Sequence, residues 1–174
     1  MNEVIKGRVH KFGDYIECDS HIISFRAVPD YISAAEHPEK LAEVCFTPID
    51  PDFPKRVRKG DFIVAGKGFG SGKTHEIGMI AIEVSGIKAI IAESIQRTYY
   101  RNAVNHGIYP LICPGISEVT ETGDLLEIEP GTGRITNLTR DHVLQAAPPP
   151  ELVLEVVRAG GILNLVKKRI NLSS

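Results

Sequence analysis

The feature that most limits what this chain can fold into is a glycine-rich segment between two regular elements, Gly66-Lys67-Gly68-Phe69-Gly70-Ser71-Gly72-Lys73. Before it, Asp61-Phe62-Ile63-Val64-Ala65 has the length and composition of a buried strand. After it, Thr74 to Ser85 carries Ile77, Ile80, Ala81 and Val84 at the i, i+3, i+4, i+7 spacing of a helix, with Gly86 as its stop. Thr74 is the expected cap of that helix, and Glu76 favours its positive end. Strand, glycine loop and helix together present backbone N–H groups and a helix N-terminus to an anion. Glycines at 66, 68, 70 and 72 permit close approaches that side chains block. The loop is therefore the expected functional centre.

The flanking chain extends the pattern. Ile87 to Ala92 reads as a second buried strand, about Ile95 to His106 as a helix stopped by Gly107, and Tyr109 to Cys113 as a third strand. The order β-loop-α-β-α-β predicts parallel strands with right-handed crossovers. Val4 to Val9 is a further short strand ended by Phe12-Gly13-Asp14. Ile16, Ile22, Ile23 and Phe25 then alternate with polar residues, Pro38–Phe46 predicts a short helix, and prolines punctuate Thr47 to Pro54. Leu125 to Glu129 and Arg134 to Leu138 flank Pro130-Gly131-Thr132-Gly133, a hairpin signal. Glu151 to Ala159 and the basic Ile162 to Arg169 read as terminal helices on either side of Gly160-Gly161.

At 174 residues with 43% apolar and 24% charged content, the chain has the make-up of one domain, 1–174, with a real core. A net charge of −2 gives no global attraction to nucleic acid. No stretch approaches the roughly 20 apolar residues of a membrane span, and MNEVIKGRVH lacks the apolar core of a signal peptide. Cys18, Cys45 and Cys113 are widely scattered, which predicts buried free thiols and no metal held by this chain. A cytoplasmic location is expected.

Two nucleotide-binding readings of the loop fit poorly. Gly72-Lys73-Thr74 supplies the end of a phosphate-binding P-loop, but Lys67 stands where its first glycine belongs. The dinucleotide fingerprint G-x-G-x-x-G fails because Ser71, or in the other register Lys73, occupies the third glycine position.

A different set of motifs stands in one order along nearly the whole chain: Gly13-Asp14-Tyr15-Ile16-Glu17-Cys18-Asp19, the run Gly60 to Gly70, Ile91-Ala92-Glu93-Ser94, and Tyr100-Arg101-Asn102-Ala103. Together they resemble the small subunit of 3-isopropylmalate dehydratase, a free-standing equivalent of the swivelling domain of aconitase. The resemblance implies an α/β fold, a swivelling β/β/α domain with a parallel β-α-β-α-β core and a C-terminal β-hairpin and helices. It also implies a hydro-lyase of leucine biosynthesis made of two chains, a heterodimer that dehydrates and rehydrates a hydroxy acid. No cofactor is expected in this chain; the large subunit is expected to hold a [4Fe-4S] cluster and most of the active site.

In that family the small subunit's loop has the pattern F-G-C-G-S-S-R-E-H, its first serine acting as base and its arginine clamping a carboxylate. Here Phe69, Gly70, Gly72 and Glu76 match, while Ser71 replaces the cysteine. Lys73 and Thr74 stand at the two serines, His75 at the arginine and Ile77 at the histidine. Histidine lacks the bidentate fork of arginine, and lysine acts as a base only where burial or another cation lowers its pKa. Of the family's D-T-D-x-I-I-P, Asp19 remains. The expected catalytic residues are thus Lys73, Thr74 and His75, with Asp19, Arg26, Gly70, Ser71 and Gly72 binding substrate. Two alternatives remain: a non-catalytic structural or regulatory partner of such a large subunit, and a P-loop-like phosphate binder.

Overall fold

The computed structural model describes residues 3–24 and 36–172. Seven strands form one mixed sheet in the order β4-β3-β2-β1-β5-β6-β7. The strands are β1 (Ile5–Lys11), β2 (Phe62–Ala65), β3 (Ala89–Ala92), β4 (Tyr109–Ile112), β5 (Leu125–Glu129), β6 (Arg134–Asn137) and β7 (His142–Gln145). Strands β1 to β4 run parallel, as the alternating strand and helix signals predict. On its other side β1 pairs antiparallel with β5, which begins the meander β5-β6-β7. β1 is therefore the seam where the parallel and antiparallel halves meet.

β2 and β3 are buried along their whole lengths, as strands covered on both faces must be. Their side chains alternate between two hydrophobic clusters. Ile63 and Ala65 of β2 and Ile90 and Ala92 of β3 face one, with Phe12, Phe46 and Phe53; Phe62, Val64, Ala89 and Ile91 face the other. Removing each such Val, Ile or Phe side chain from water contributes about 1.5–3 kcal/mol before the entropy of ordering is subtracted.

Among the described residues five α-helices accompany the sheet: α1 (Phe53–Arg56), α2 (Glu76–Val84), α3 (Arg97–Asn105), α4 (Glu151–Arg158) and α5 (Ile162–Leu172). α2 departs from expectation in two ways. Its N-cap is His75, not Thr74, and no side chain caps it. Its fully buried residues are Gly78, Met79, Ala81 and Ile82, with Ile77, Ile80 and Val84 partly buried, so it packs almost all round instead of on one stripe.

The short helix read over Pro38–Phe46 is a 3-10 helix at Pro38–Glu43, with Pro38 in its first turn. In the irregular stretch after β1, Cys18–Ile22 forms a π-type turn, in which the Ile22 and His21 N–H groups both reach the Glu17 carbonyl. β7 was not foreseen. Phe25 and Arg26 lie outside the described residues.

Candidate functional site

The loops that leave the C-terminal ends of β1, β2, β3 and β4 meet at one end of the sheet, where open α/β sheets bind their ligands. Three of the four motif runs singled out in the sequence contribute to this end, together with Tyr99 just before the fourth. Asp14 Oδ1 accepts the Lys67 N–H at 2.7 Å, and the Lys67 carbonyl accepts the Tyr15 N–H at 2.6 Å. Ser94 holds the next two residues: its Oγ accepts the Gly68 N–H at 2.8 Å and its carbonyl the Phe69 N–H at 3.0 Å. The Ile16 carbonyl takes the N–H groups of Gly70 (2.8 Å) and Ser71 (3.2 Å), and the Ser71 carbonyl accepts from Cys18 at 2.9 Å.

Five successive loop N–H groups, 67 to 71, are thus engaged inside the chain. A phosphate cradle needs such groups free and pointing outward, which is the physical reason the P-loop reading fails despite Gly72-Lys73-Thr74. The glycines serve packing instead. Gly70 has φ +79°, and a Cβ there would overlap the ring of Tyr99, itself fully buried and edge-on to Phe69 at 5.6 Å. Gly72, at φ +78°, lies against Asp19, whose Oδ1 is 2.8 Å from where a Cβ would stand.

Asp19, Gly70, Ser71 and Gly72 are therefore brought together. The Ser71 hydroxyl is shielded from water and has no hydrogen-bond partner among the described residues. Lys73 is exposed, while Thr74 and His75 are half-buried at the start of α2. The His75 carbonyl accepts the Cys18 thiol at 3.4 Å and the Gly78 N–H at 3.3 Å. Gly78 permits this, because a Cβ on it would lie 2.7 Å from Cys18 Sγ. Burial raises the Cys18 thiol pKa, so it serves as a neutral donor.

Glu93, at the end of β3, supports the same end of the sheet and carried no role in the sequence reading. Burial pushes its carboxyl upward, but the Ser117 hydroxyl, the Gly115 and Ser117 N–H groups and nearby Lys67 outweigh that and leave it below the usual range. It pins the loop after β4 beside the glycine loop. A cavity of about 570 Å³ lies at the other end of the strands, lined by Lys59, Gly60, Glu83, Lys88 and His106 among others, and none of residues 69–75 reaches it.

The comparisons with known proteins agree with this arrangement. The Aconitase C-terminal domain model matches residues 30–115, the stretch that contains the loop and strands β2 to β4. The isopropylmalate/citramalate isomerase small subunit of Methanocaldococcus jannaschii is 42% identical over 170 residues, covering 98% of each chain. The chain belongs to the 3-isopropylmalate dehydratase small-subunit family. The methanogen homoaconitase small subunit of the same organism is 39% identical, covering 95% of this chain and 93% of that one. The crystal structure of 3-isopropylmalate dehydratase from M. jannaschii superposes with a TM-score of 0.85 at 38% identity, covering 98% of both chains. The family fold, an α/β swivel domain of the aconitase superfamily, is therefore the fold of this chain.

An iron–sulfur cluster does not fit this family member's own residues. Among the described residues no group of three or more His, Cys, Asp or Glu is arranged to hold a metal. The three cysteines are buried free thiols, and burial pushes Cys45 up to about 12 and Cys113 up to about 11. That is opposite to the thiolate character iron ligands require. Among the described residues no helix is long and apolar enough to cross a membrane.

Proposed function

We propose that this chain is the small subunit of a two-chain hydro-lyase that dehydrates and rehydrates a hydroxy acid, with loop 66–78 completing an active site held mainly by a large subunit. The relatives' names support the reaction class: isomerase of isopropylmalate and citramalate in one case, homoaconitase in another. In this reading the [4Fe-4S] cluster is the large subunit's. The chain acts as a single cytoplasmic domain.

One observation carries the assignment of the loop. Its backbone is fastened by internal hydrogen bonds through residue 71, and Lys73, Thr74 and His75 follow at the N-terminus of α2, with Lys73 exposed. That position suits a group that handles a proton beside a carboxylate, because the helix terminus adds positive potential to the cation. Lys73 takes the carbon-bound proton. His75, with Thr74 and the first N–H groups of α2, holds the neighbouring carboxylate, assisted from the loop by Ser71 and Gly72. Lys73 is exposed in the lone chain, so the desolvation that makes a lysine basic comes from closure of the large subunit over the loop. Asp19 orients the turn at Gly72, and Arg26 adds a carboxylate contact from the segment that follows Ser24.

Co-expression with a candidate large subunit tests this reading. It predicts a brown, iron-containing complex that turns over at least one member of a panel of isopropylmalate, methylmalate and homocitrate-type hydroxy acids. A complex that forms but turns over none would favour the second reading, a non-catalytic partner subunit. The replacement of the family's serine and arginine by Lys73 and His75 is what recommends that alternative. Failure of any large subunit to bind would defeat both.

A further inference from the structure

His106 caps the C-terminal end of α3, and its ring touches both ends of α2. Nδ1 is 2.6 Å from Glu83 Oε2 in the last turn, and Nε2 is 3.5 Å from Glu76 Oε1 in the first. The two carboxylates lie seven residues apart, two turns along one face. The histidine side chain is 16% exposed and sits between two cavities, while its partners Glu76 and Glu83 are 75% and 46% exposed.

This contact bears on the candidate site because α2 begins there. Glu76 immediately follows His75, and no side chain caps the helix. The first turn of α2 is held by the burial of Gly78 and Met79, by Ile77 packed against the core and by the Cys18 thiol on the His75 carbonyl, and the bridge to His106 adds a polar tie through Glu76. A neutral imidazole donates through one nitrogen only, whereas the imidazolium donates through both. Two carboxylates are therefore bridged only while the ring is doubly protonated.

We infer that His106 is a positioning residue for the loop: its imidazolium clamps Glu76 and Glu83, and loss of one ring proton releases Glu76 and loosens the turn that carries Thr74 and His75. The groups facing the ring are Glu76 and Glu83 from α2, Lys167 and Asn164 from α5, and Lys59 and Lys88 across the neighbouring cavity. The lysines oppose the ring's charge; among the described residues, Glu83 and Glu76 are the groups that pair with it. The hydrogen bond to Glu83 is the main cause that raises the histidine above its ordinary value, against the opposing effect of burial, with the charge of Glu83 and then of Glu76 adding to it. The clamp is accordingly complete below the ordinary histidine range and is lost as pH rises through the higher, folded value. The role of the loop rests on the function proposed above; the clamp does not.

Hydrogen–deuterium exchange on the full chain reads the clamp without partner or turnover. After correction for intrinsic exchange, protection of a peptide spanning residues 74–82 falls at least about tenfold between about pH 6 and about pH 9 in the wild type. Both Glu76→Gln, a surface change that leaves the core intact, and His106→Gln have the low protection at either pH. Protection that does not depend on pH in the wild type, or that still falls in Glu76→Gln as in the wild type, would overturn the inference. In the reconstituted complex, Glu76→Gln flattens the alkaline limb of kcat/KM; a limb parallel to the wild type's counts against it. A wild-type complex without turnover would sink the proposed function while leaving the exchange result to stand.

Discussion

The ring of Tyr99 lies against the α-carbon of Gly70 so closely that a Cβ on the glycine would overlap the tyrosine's own Cβ and Cγ. The contact joins the helix after β3 to the loop after β2, and it fixes how far the loop extends beyond the sheet. Gly70→Ala forces a left-handed backbone onto an alanine, which costs about 1–2 kcal/mol, and adds the overlap with a fully buried ring. The expected outcome is a lower melting temperature and loss of turnover in the reconstituted complex. A variant with wild-type melting and turnover would show that the loop does not depend on this packing.

Asp61, just before β2, ties β1 to the parallel core. Its Oδ2 contacts His10 Nε2 at 2.9 Å and accepts the Arg58 N–H at 2.8 Å, and both side chains of the pair are almost wholly buried. Asp61→Ala leaves a buried imidazole nitrogen and a backbone N–H without partners, a loss of about 2–4 kcal/mol. Urea denaturation checks this through a lowered midpoint at unchanged slope.

Acid stability follows from Asp124, which is 5% exposed in its side chain. Burial pushes its carboxyl up, but Asn137 Nδ2, the Glu121 N–H and Arg140 Nε, at 2.8, 2.9 and 2.7 Å, pull it below its ordinary value overall. A carboxyl lowered in the folded state contributes stability above its unfolded value of about 3.9, lost as pH falls through the folded one. Urea midpoints measured from about pH 6 downward will therefore drop steeply below about pH 4, and less steeply in Asp124→Asn.

Lys73 also separates two roles by substitution. Lys73→Arg keeps a positive charge beside the substrate carboxylate but removes a group that can give up its proton. Turnover in the reconstituted complex falls about as far as in Lys73→Ala if the lysine is the base, and is mostly retained if its charge alone matters. Comparing kcat of the two variants decides it.

Much of this architecture was legible in the chain. The parallel core was readable because β2 and β3 are continuous apolar runs separated by glycine-stopped helices. The hairpin of β5 and β6 was announced by Pro130-Gly131-Thr132-Gly133. β7 was not, since three of its four residues are exposed and it leaves no apolar alternation to detect. The insertion of β1 between β2 and β5 was also hidden, because pairing partners distant in sequence leave no local signal. At the candidate site, glycine spacing pointed to the loop, and the structure brings Asp19, Gly70, Ser71 and Gly72 together. Thr74 was misread as a cap because the preference for threonine at helix starts yielded to the path set by Cys18, which holds the His75 carbonyl. The bridge from His106 to Glu76 and Glu83 spans two helices, and no motif marks it.

The central claim is that Lys73 and His75 perform proton transfer and carboxylate binding in place of the family's serine and arginine. Steady-state turnover of the reconstituted two-chain complex with Lys73→Ala and His75→Ala tests it most directly. The account predicts that Lys73→Ala lowers kcat by at least about 100-fold, and that His75→Ala acts mainly by raising KM. Turnover left intact in both variants would contradict it.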